Sequence, residues 1–141
     1  MNFRHCGLVV DDVEKSIVFY TQMLGFQVEK DNLETGKFID LICGLKNTIV
    51  RTVKMSLNET MVLELLQFQS HPSGDYRREI TNRGFTHIAL TVDNLDEVYN
   101  RLQVDGLEFH CLPQISPDGN AKVTFCRDPE GNLLELVEEI R

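Results

Sequence analysis

Four polar residues recur in two matched pairs inside otherwise apolar stretches of the sequence. His5 and His87 stand at equivalent positions of two similar segments, and Glu64 and Glu135 stand at equivalent positions of two others. A carboxylate in an apolar strand is costly to bury unless it is paired, hydrogen-bonded or bound to a metal ion. Two imidazoles and two carboxylates suit divalent zinc, nickel, cobalt, manganese or iron. A lone strand histidine is more often a satisfied core residue, so it is the repetition that favours a metal site.

The recurrence reflects a repeat that covers most of the chain. The segment FRHCGLVVDD, from Phe3, matches FTHIALTVDN, from Phe85, and VLELL, from Val62, matches LLELV, from Leu133. Each copy has the pattern of a strand, a helix and further strands, and the second copy is shorter. We predict one α+β domain, residues 1–141, made of module 1–68 and module 84–141 joined by a polar linker, 69–83.

The first helix of each copy must hold the histidine strand against the rest of its module. In the first copy we expect one buried stripe at helical spacing: Val13, Ile17, Tyr20 and Leu24. Asp11 with Glu14 predicts a capping box, and Asn94 has the same place in the second copy. Phe3 and Phe85 are expected to fill core space. Residues 37–45 fit either a short helix or a strand.

The carboxylates are expected on hairpins. Residues 53–57 lead through Asn58 and Glu59 into 61–66, and residues 123–126 lead through the turn DPEGN into 133–137. Alternation along a strand puts His5 on one face with Gly7 and Val9, which are small enough to line a cavity. Residues 112–121 are either a substrate lid or a simple connection. His71 and His110 are expected in loops or at the surface.

The overall composition sets the class of protein. The chain has 141 residues, 42% of them hydrophobic, and a formal net charge of −8. This balance disfavours nucleic acids and anionic membrane surfaces as partners, and no apolar run approaches the roughly 18 residues that span a bilayer. The four cysteines form no close pair, which predicts buried, reduced thiols and a cytoplasmic protein.

With these motifs the chain resembles the vicinal oxygen chelate superfamily, the group of glyoxalases, bleomycin-resistance proteins and extradiol dioxygenases. The resemblance rests on HxxLxVxDxxxSxxFY from His5, LEL from Leu63, HIAL from His87 and DPEGNLLELVE from Asp128. It implies tandem βαβββ modules whose curled mixed sheets enclose a metal, with His5, Glu64, His87 and Glu135 as ligands. Bacterial glyoxalase I often has its site between two subunits, so the resemblance also implies a homodimer.

The complete ligand set places the chain nearest to the glyoxalase I type within that superfamily. Bacterial enzymes acting on the glutathione adduct typically have Arg four residues after the first ligand His and Asn four residues after the first ligand Glu. This chain has Val9 and Phe68 there. These apolar residues leave glutathione carboxylates without partners and favour a less charged substrate.

The resemblance and the site chemistry together predict a metal-dependent lyase or isomerase. A divalent metal, nickel, zinc, cobalt, manganese or iron, would chelate adjacent oxygens of a small molecule and stabilise the enediolate formed on proton loss. Glu135, with Glu64 as its counterpart, would shuttle the proton. The alternatives are an isomerase similar to methylmalonyl-CoA epimerase, an extradiol-type dioxygenase, and a non-catalytic protein that binds an antibiotic or other small molecule.

Overall fold

The computed structural model describes residues 1–58, 61–74 and 77–140. The chain divides into two compact units, Met1–Tyr76 and Arg77–Arg141. Each unit contains one open, four-stranded mixed sheet with helices, which confirms the α+β class. The chain passes between the units inside the predicted linker, of which residues 75 and 76 lie outside the described residues. No helix in the described part of the chain is long and apolar enough to cross a membrane.

The first unit begins with strand β1 (Cys6–Val9) and helix α1 (Val13–Val18), which continues as a π-helical turn, Phe19–Met23. Strand β2 (Gln27–Thr35), helix α2 (Lys37–Cys43) and strands β3 (Ile49–Ser56) and β4 (Val62–Phe68) follow. The sheet order is β1-β4-β3-β2, with β1 parallel to β4 and the other pairs antiparallel. The ambiguous stretch 37–45 is thus mainly helical. Of the first predicted turn, Glu59 lies outside the described residues.

The second unit repeats this arrangement in fewer residues. It contains β5 (His87–Thr91), α3 (Leu95–Val104), β6 (Gln114–Ile115), β7 (Ala121–Arg127) and β8 (Leu133–Glu139). The order β5-β8-β7-β6 is the same permutation, again with a parallel first pair. The stretch 112–121 is therefore not a free loop, because β6 lies in it and pairs with β7. The repeat predicted from the sequence is confirmed as a repeat of strand order.

The observed helix caps and side-chain burial differ in part from those predicted from the sequence. The cap of α1 is Asp12, whose carboxylate accepts from the Lys15 N–H at 3.0 Å, one residue later than the predicted Asp11. Asn94 caps α3 as expected, accepting from the Glu97 N–H at 3.1 Å. In the predicted stripe, Val13 and Tyr20 are buried but Ile17 and Leu24 only partly so, because the wider π turn also brings Phe19 inward.

Two predictions about apolar and thiol burial are wrong. Phe3 and Phe85 are 82% and 91% exposed, because each precedes the first strand of its unit and has no sheet neighbour to cover it. All four cysteines are free, but only Cys126 is buried; Cys43 and Cys111 are exposed. The cores are instead made of strand and helix residues that are fully buried, among them Val53, Met55, Leu63, Leu65, Leu95, Leu102, Leu134 and Leu136.

Candidate metal centre

The first predicted pair forms at the junction of β1 and β4 in the first unit. His5 directly precedes β1, and in the parallel β1–β4 ladder Gly7 is the partner of Glu64. The imidazole Nε2 of His5 lies 3.1 Å from Glu64 Oε2. The side chains are 29% and 13% exposed, so the pair is half-buried and still reached by solvent.

The second pair forms at the equivalent junction of β5 and β8. Ala89 is the ladder partner of Glu135, and His87 Nε2 lies 3.2 Å from Glu135 Oε2. The other ring nitrogen of His87, Nδ1, is 2.7 Å from the hydroxyl of Thr86. A hydrogen bond at one imidazole nitrogen fixes the ring and directs the other nitrogen, as is usual for metal-ligating histidines. The structure therefore brings each predicted histidine together with its own predicted glutamate.

Both pairs combine an imidazole nitrogen with a carboxylate oxygen, donor types that divalent metal ions accept. Two donor atoms that each lie about 2.1 Å from one divalent ion, at right angles, are about 3.0 Å apart. The two nitrogen-to-oxygen distances, 3.1 and 3.2 Å, are close to that separation and are also those of direct hydrogen-bonded ion pairs. In the described part of the chain, no three His, Cys, Asp or Glu side chains form a group that could hold an ion. Each unit therefore contains one pair of candidate ligands, an imidazole and a carboxylate.

The neighbours of the two carboxylates differ in charge. In the β3–β4 ladder the residue opposite Glu64 is Lys54, whose Nζ is 3.5 Å from Glu64 Oε1. In the β7–β8 ladder the residue opposite Glu135 is Phe125, whose ring meets the His87 imidazole edge to face at 5.2 Å. Neither Lys54 nor Phe125 was predicted from the sequence. Counting outward from each predicted hairpin turn would have placed them opposite the two glutamates.

Of the other two histidines, one lies close to the second pair. The ring of His110 stacks on Phe125 with centroids 6.1 Å apart, although the residue is exposed as predicted. His71 is also exposed, and its Nδ1 is 2.8 Å from the hydroxyl of Ser70. Phe125 is thus flanked by two imidazoles, which gives the second unit an aromatic surface beside its candidate ligands.

The residues that replace the expected glutathione partners lie on the strands of the first pair. Val9 is 53% exposed on β1, two residues along the same face from Gly7. Phe68 is half-buried at the end of β4, on the face that also carries Glu64. The surface beside the first pair is therefore apolar at these two positions and cationic at Lys54.

The chain is similar to known proteins over nearly its whole length. The family model of the glyoxalase/bleomycin resistance protein/dioxygenase superfamily matches residues 2–136. The uncharacterized protein YwkD of Bacillus subtilis is 31% identical over 98% of this chain and 97% of its own length. The lactoylglutathione lyase of Salmonella typhimurium is 28% identical over 98% of this chain and 93% of its own.

Among solved structures, a glyoxalase family protein from Bacillus cereus has the same fold. Its TM-score is 0.91 at 22% identity, and the match covers 100% of this chain and 95% of that protein. The match covers both repeats, so each of the two mixed sheets has a counterpart in that protein.

Proposed function

Because the chain belongs to the glyoxalase/bleomycin resistance protein/dioxygenase superfamily, we propose that it is a metal-dependent lyase or isomerase of the glyoxalase I type. The observation that carries the proposal is the pair of histidine–glutamate contacts at equivalent places of two equivalent sheets. A single buried His–Glu contact has many structural explanations. Two such contacts at repeat-related positions favour a shared chemical purpose.

The proposed metal ligands are His5 and Glu64 of the first unit and His87 and Glu135 of the second, an imidazole nitrogen and a carboxylate oxygen from each. Nickel, zinc, cobalt, manganese and iron all accept this donor set. Such an ion would supply Lewis-acid polarisation of substrate oxygens, which would acidify the neighbouring C–H.

The chain's own residues then hold and move the proton. Glu135 is proposed as the base that accepts it and the acid that returns it, with Glu64 as its counterpart. The hydroxyl of Thr86 holds the His87 ring from the side away from Glu135, which keeps Nε2 directed at that carboxylate. The Phe125 ring packs edge to face against the His87 imidazole and so helps to hold its orientation.

Two finer features are part of the same proposal. Val9 and Phe68 support a substrate other than a glutathione adduct, because neither side chain can pair with a glutathione carboxylate. The resemblance to bacterial glyoxalase I supports a homodimer, and four free thiols support a reducing compartment such as the cytoplasm.

Metal analysis of the untagged protein tests the ligand set. We expect one metal per chain after loading with Ni²⁺, Zn²⁺ or Co²⁺, and loss of that metal in His5→Ala and in His87→Ala alike. His71→Ala and His110→Ala are the controls and should keep it. Two metals per chain would mean that each pair binds separately. No metal in the wild-type protein would exclude the enzyme and leave a small-molecule binding protein.

The catalytic role of Glu135 has its own test. We expect Glu135→Gln to slow the exchange of the activated C–H in D₂O by about 10²- to 10⁴-fold, the range for removal of a general base. NMR on small 2-hydroxy ketones and on the methylglyoxal–glutathione adduct measures that exchange. Glu139→Gln, an exposed change on the same strand β8, is the matched control. Equal exchange rates in Glu135→Gln and wild type would contradict the role.

A further inference from the structure

One arginine of the second unit is buried on the sheet face that carries the candidate ligands. The side chain of Arg127 is 6% exposed and lies on the same face of β7 as Phe125, two residues away. Arg127 and His87 are both cross-strand partners of Leu133, one in the β7–β8 ladder and the other in the β5–β8 ladder. The three residues therefore form one row across the sheet, beside Glu135.

The guanidinium of Arg127 fastens the segment that leads into β5. Its Nη1 donates to the carbonyl of Gly131 at 2.7 Å and to the carbonyl of Arg78 at 3.0 Å. These bonds join residues 78–84, which we call the strap, to the turn between β7 and β8. The strap is itself closed, because Nη2 of Arg78 donates to the carbonyl of Arg83 at 2.7 Å. Gly84 ends it with a φ of +112°, and a Cβ there would lie 2.7 Å from the same Nη2.

The strap matters for His87 because that residue stands at the very start of its strand. His87 is the first residue of β5, a place where strands fray, and Phe85 before it is 91% exposed. The His87 ring is oriented by Thr86, whose hydroxyl is 2.7 Å from Nδ1. Only two residues separate His87 from the strap, so holding the strap also holds the backbone that carries this hydroxyl.

The fold does not require an arginine at this place. Ser56 occupies the equivalent ladder position of the first sheet, since it pairs with Val62 as Arg127 pairs with Leu133. A buried guanidinium is costly unless it is fully paired. The Glu79 carboxylate is 3.8 Å from Nη2, beyond hydrogen-bond distance, and Nε has no hydrogen-bond partner among the described residues. The purpose of the arginine therefore lies in what it holds, the strap.

We infer that Arg127 is a positioning residue, which fixes the orientation of the His87 imidazole by fastening the strap to the β7–β8 turn. The use of an oriented imidazole rests on the proposed function, in which His87 is a metal ligand. The orientation itself belongs to the second unit alone and can be measured without a metal.

NMR relaxation of the histidine rings in the metal-free protein tests the inference. The four histidines, labelled with ¹³C at Cε1, give ring signals that single His→Ala variants assign. In the wild type we expect the His87 ring to be rigid, with an order parameter of about 0.85. In Arg127→Met we expect it to fall below about 0.6. Arg127→Lys should restore most of the order, because an ammonium group can still donate to both carbonyls.

Two further variants separate positioning from general stability. Leu136→Ala weakens the core of the same unit without touching the strap, so the His87 ring should stay rigid. Gly84→Ala disturbs the strap and leaves the sheet unchanged, so it should free the ring, and it replaces Arg127→Met if that variant does not fold.

The possible outcomes are distinct. A mobile His87 ring in the wild type, or a rigid one in the folded strap variant, overturns the inference. Equal loss of order in Leu136→Ala overturns it as well, since Arg127 would then act only through stability. Absence of metal binding by the wild type, measured separately, would contradict the proposed function and leave the result on the ring standing.

Discussion

The four cysteine thiols of the chain differ in how far solvent reaches them. Burial, with a smaller contribution from the Asp128 carboxylate, raises the pKa of the Cys126 thiol to about 12, whereas Cys43 and Cys111 are exposed. Alkylating agents react with the thiolate. We predict that iodoacetamide modifies Cys43 and Cys111 in the folded protein at about pH 8.5 and leaves Cys126 unmodified until the chain unfolds. Peptide mass spectrometry measures both states, and early modification of Cys126 would contradict its burial.

The same thiol makes stability depend on alkaline pH. Its folded-state pKa is raised above the ordinary 9.0, so its contribution to the free energy of unfolding is complete below about pH 9. That contribution is lost as the pH rises toward 12, because the Cys126 thiol ionises at a lower pH in the unfolded chain than in the folded protein. We predict that Cys126→Ala loses less stability between these pH values than the wild type does, as urea unfolding would show. Parallel losses in the two proteins would contradict the prediction.

The candidate site was predictable from the sequence only where it repeats. His5, Glu64, His87 and Glu135 stand out because each has a counterpart in the other copy. Lys54 and Phe125 differ from one another, so a search for recurrence passes over both, although they occupy equivalent ladder positions. Residues that make two similar sites different are those that a repeat pattern cannot reveal.

At the scale of elements, the turn between β7 and β8 depends on one buried carboxylate. Asp128 is 5% exposed and accepts hydrogen bonds from the backbone N–H groups of Glu130 and Asn132, at 2.9 and 2.8 Å. Its second oxygen accepts from the Asn132 side-chain amide at 2.9 Å. This turn sets the register that brings Glu135 opposite Phe125. The carboxylate therefore contributes both to stability and to the geometry of the second pair.

We predict that Asp128→Ala lowers the free energy of unfolding by about 2–3 kcal/mol, because it leaves buried donors without their acceptor. Urea unfolding measures the change. The control is Asp118→Ala in the turn between β6 and β7, where Asp118 makes similar hydrogen bonds to Ser116 and Asn120. That turn is exposed, so water replaces the lost acceptor and the cost is smaller. A larger loss in Asp118→Ala than in Asp128→Ala would contradict the argument.

Elements with strong local signals were the predictable ones. The hairpin at Asp128 and the α3 cap at Asn94 follow from turn and cap chemistry and are confirmed. Strand β2 and strand β6 were missed, because nearly all their residues are exposed and neither has an alternating apolar pattern. Such edge strands are held by pairing to a neighbour that the sequence does not identify locally.

At the scale of the whole molecule, the chain is two copies of one sheet topology in two compact units. Each unit has its own buried strand residues on the face opposite its candidate ligands. Leu65 on β4 and Leu136 on β8 are repeat counterparts, each one residue after its glutamate, and both are fully buried. This equivalence allows the same substitution to be made once in each core.

We predict that the two units open as separate cooperative segments. Leu65→Ala and Leu136→Ala should each cost about 2–5 kcal/mol, the range for a buried leucine replaced by alanine. Because local opening follows the contacts that a residue makes, Leu65→Ala should speed amide exchange mainly in β3 and β4, and Leu136→Ala mainly in β7 and β8. Hydrogen-exchange mass spectrometry resolves these strands. If either variant accelerated amide exchange equally in both units, the chain would open as a single segment. The two units would then not be independently stable, despite their duplicated topology.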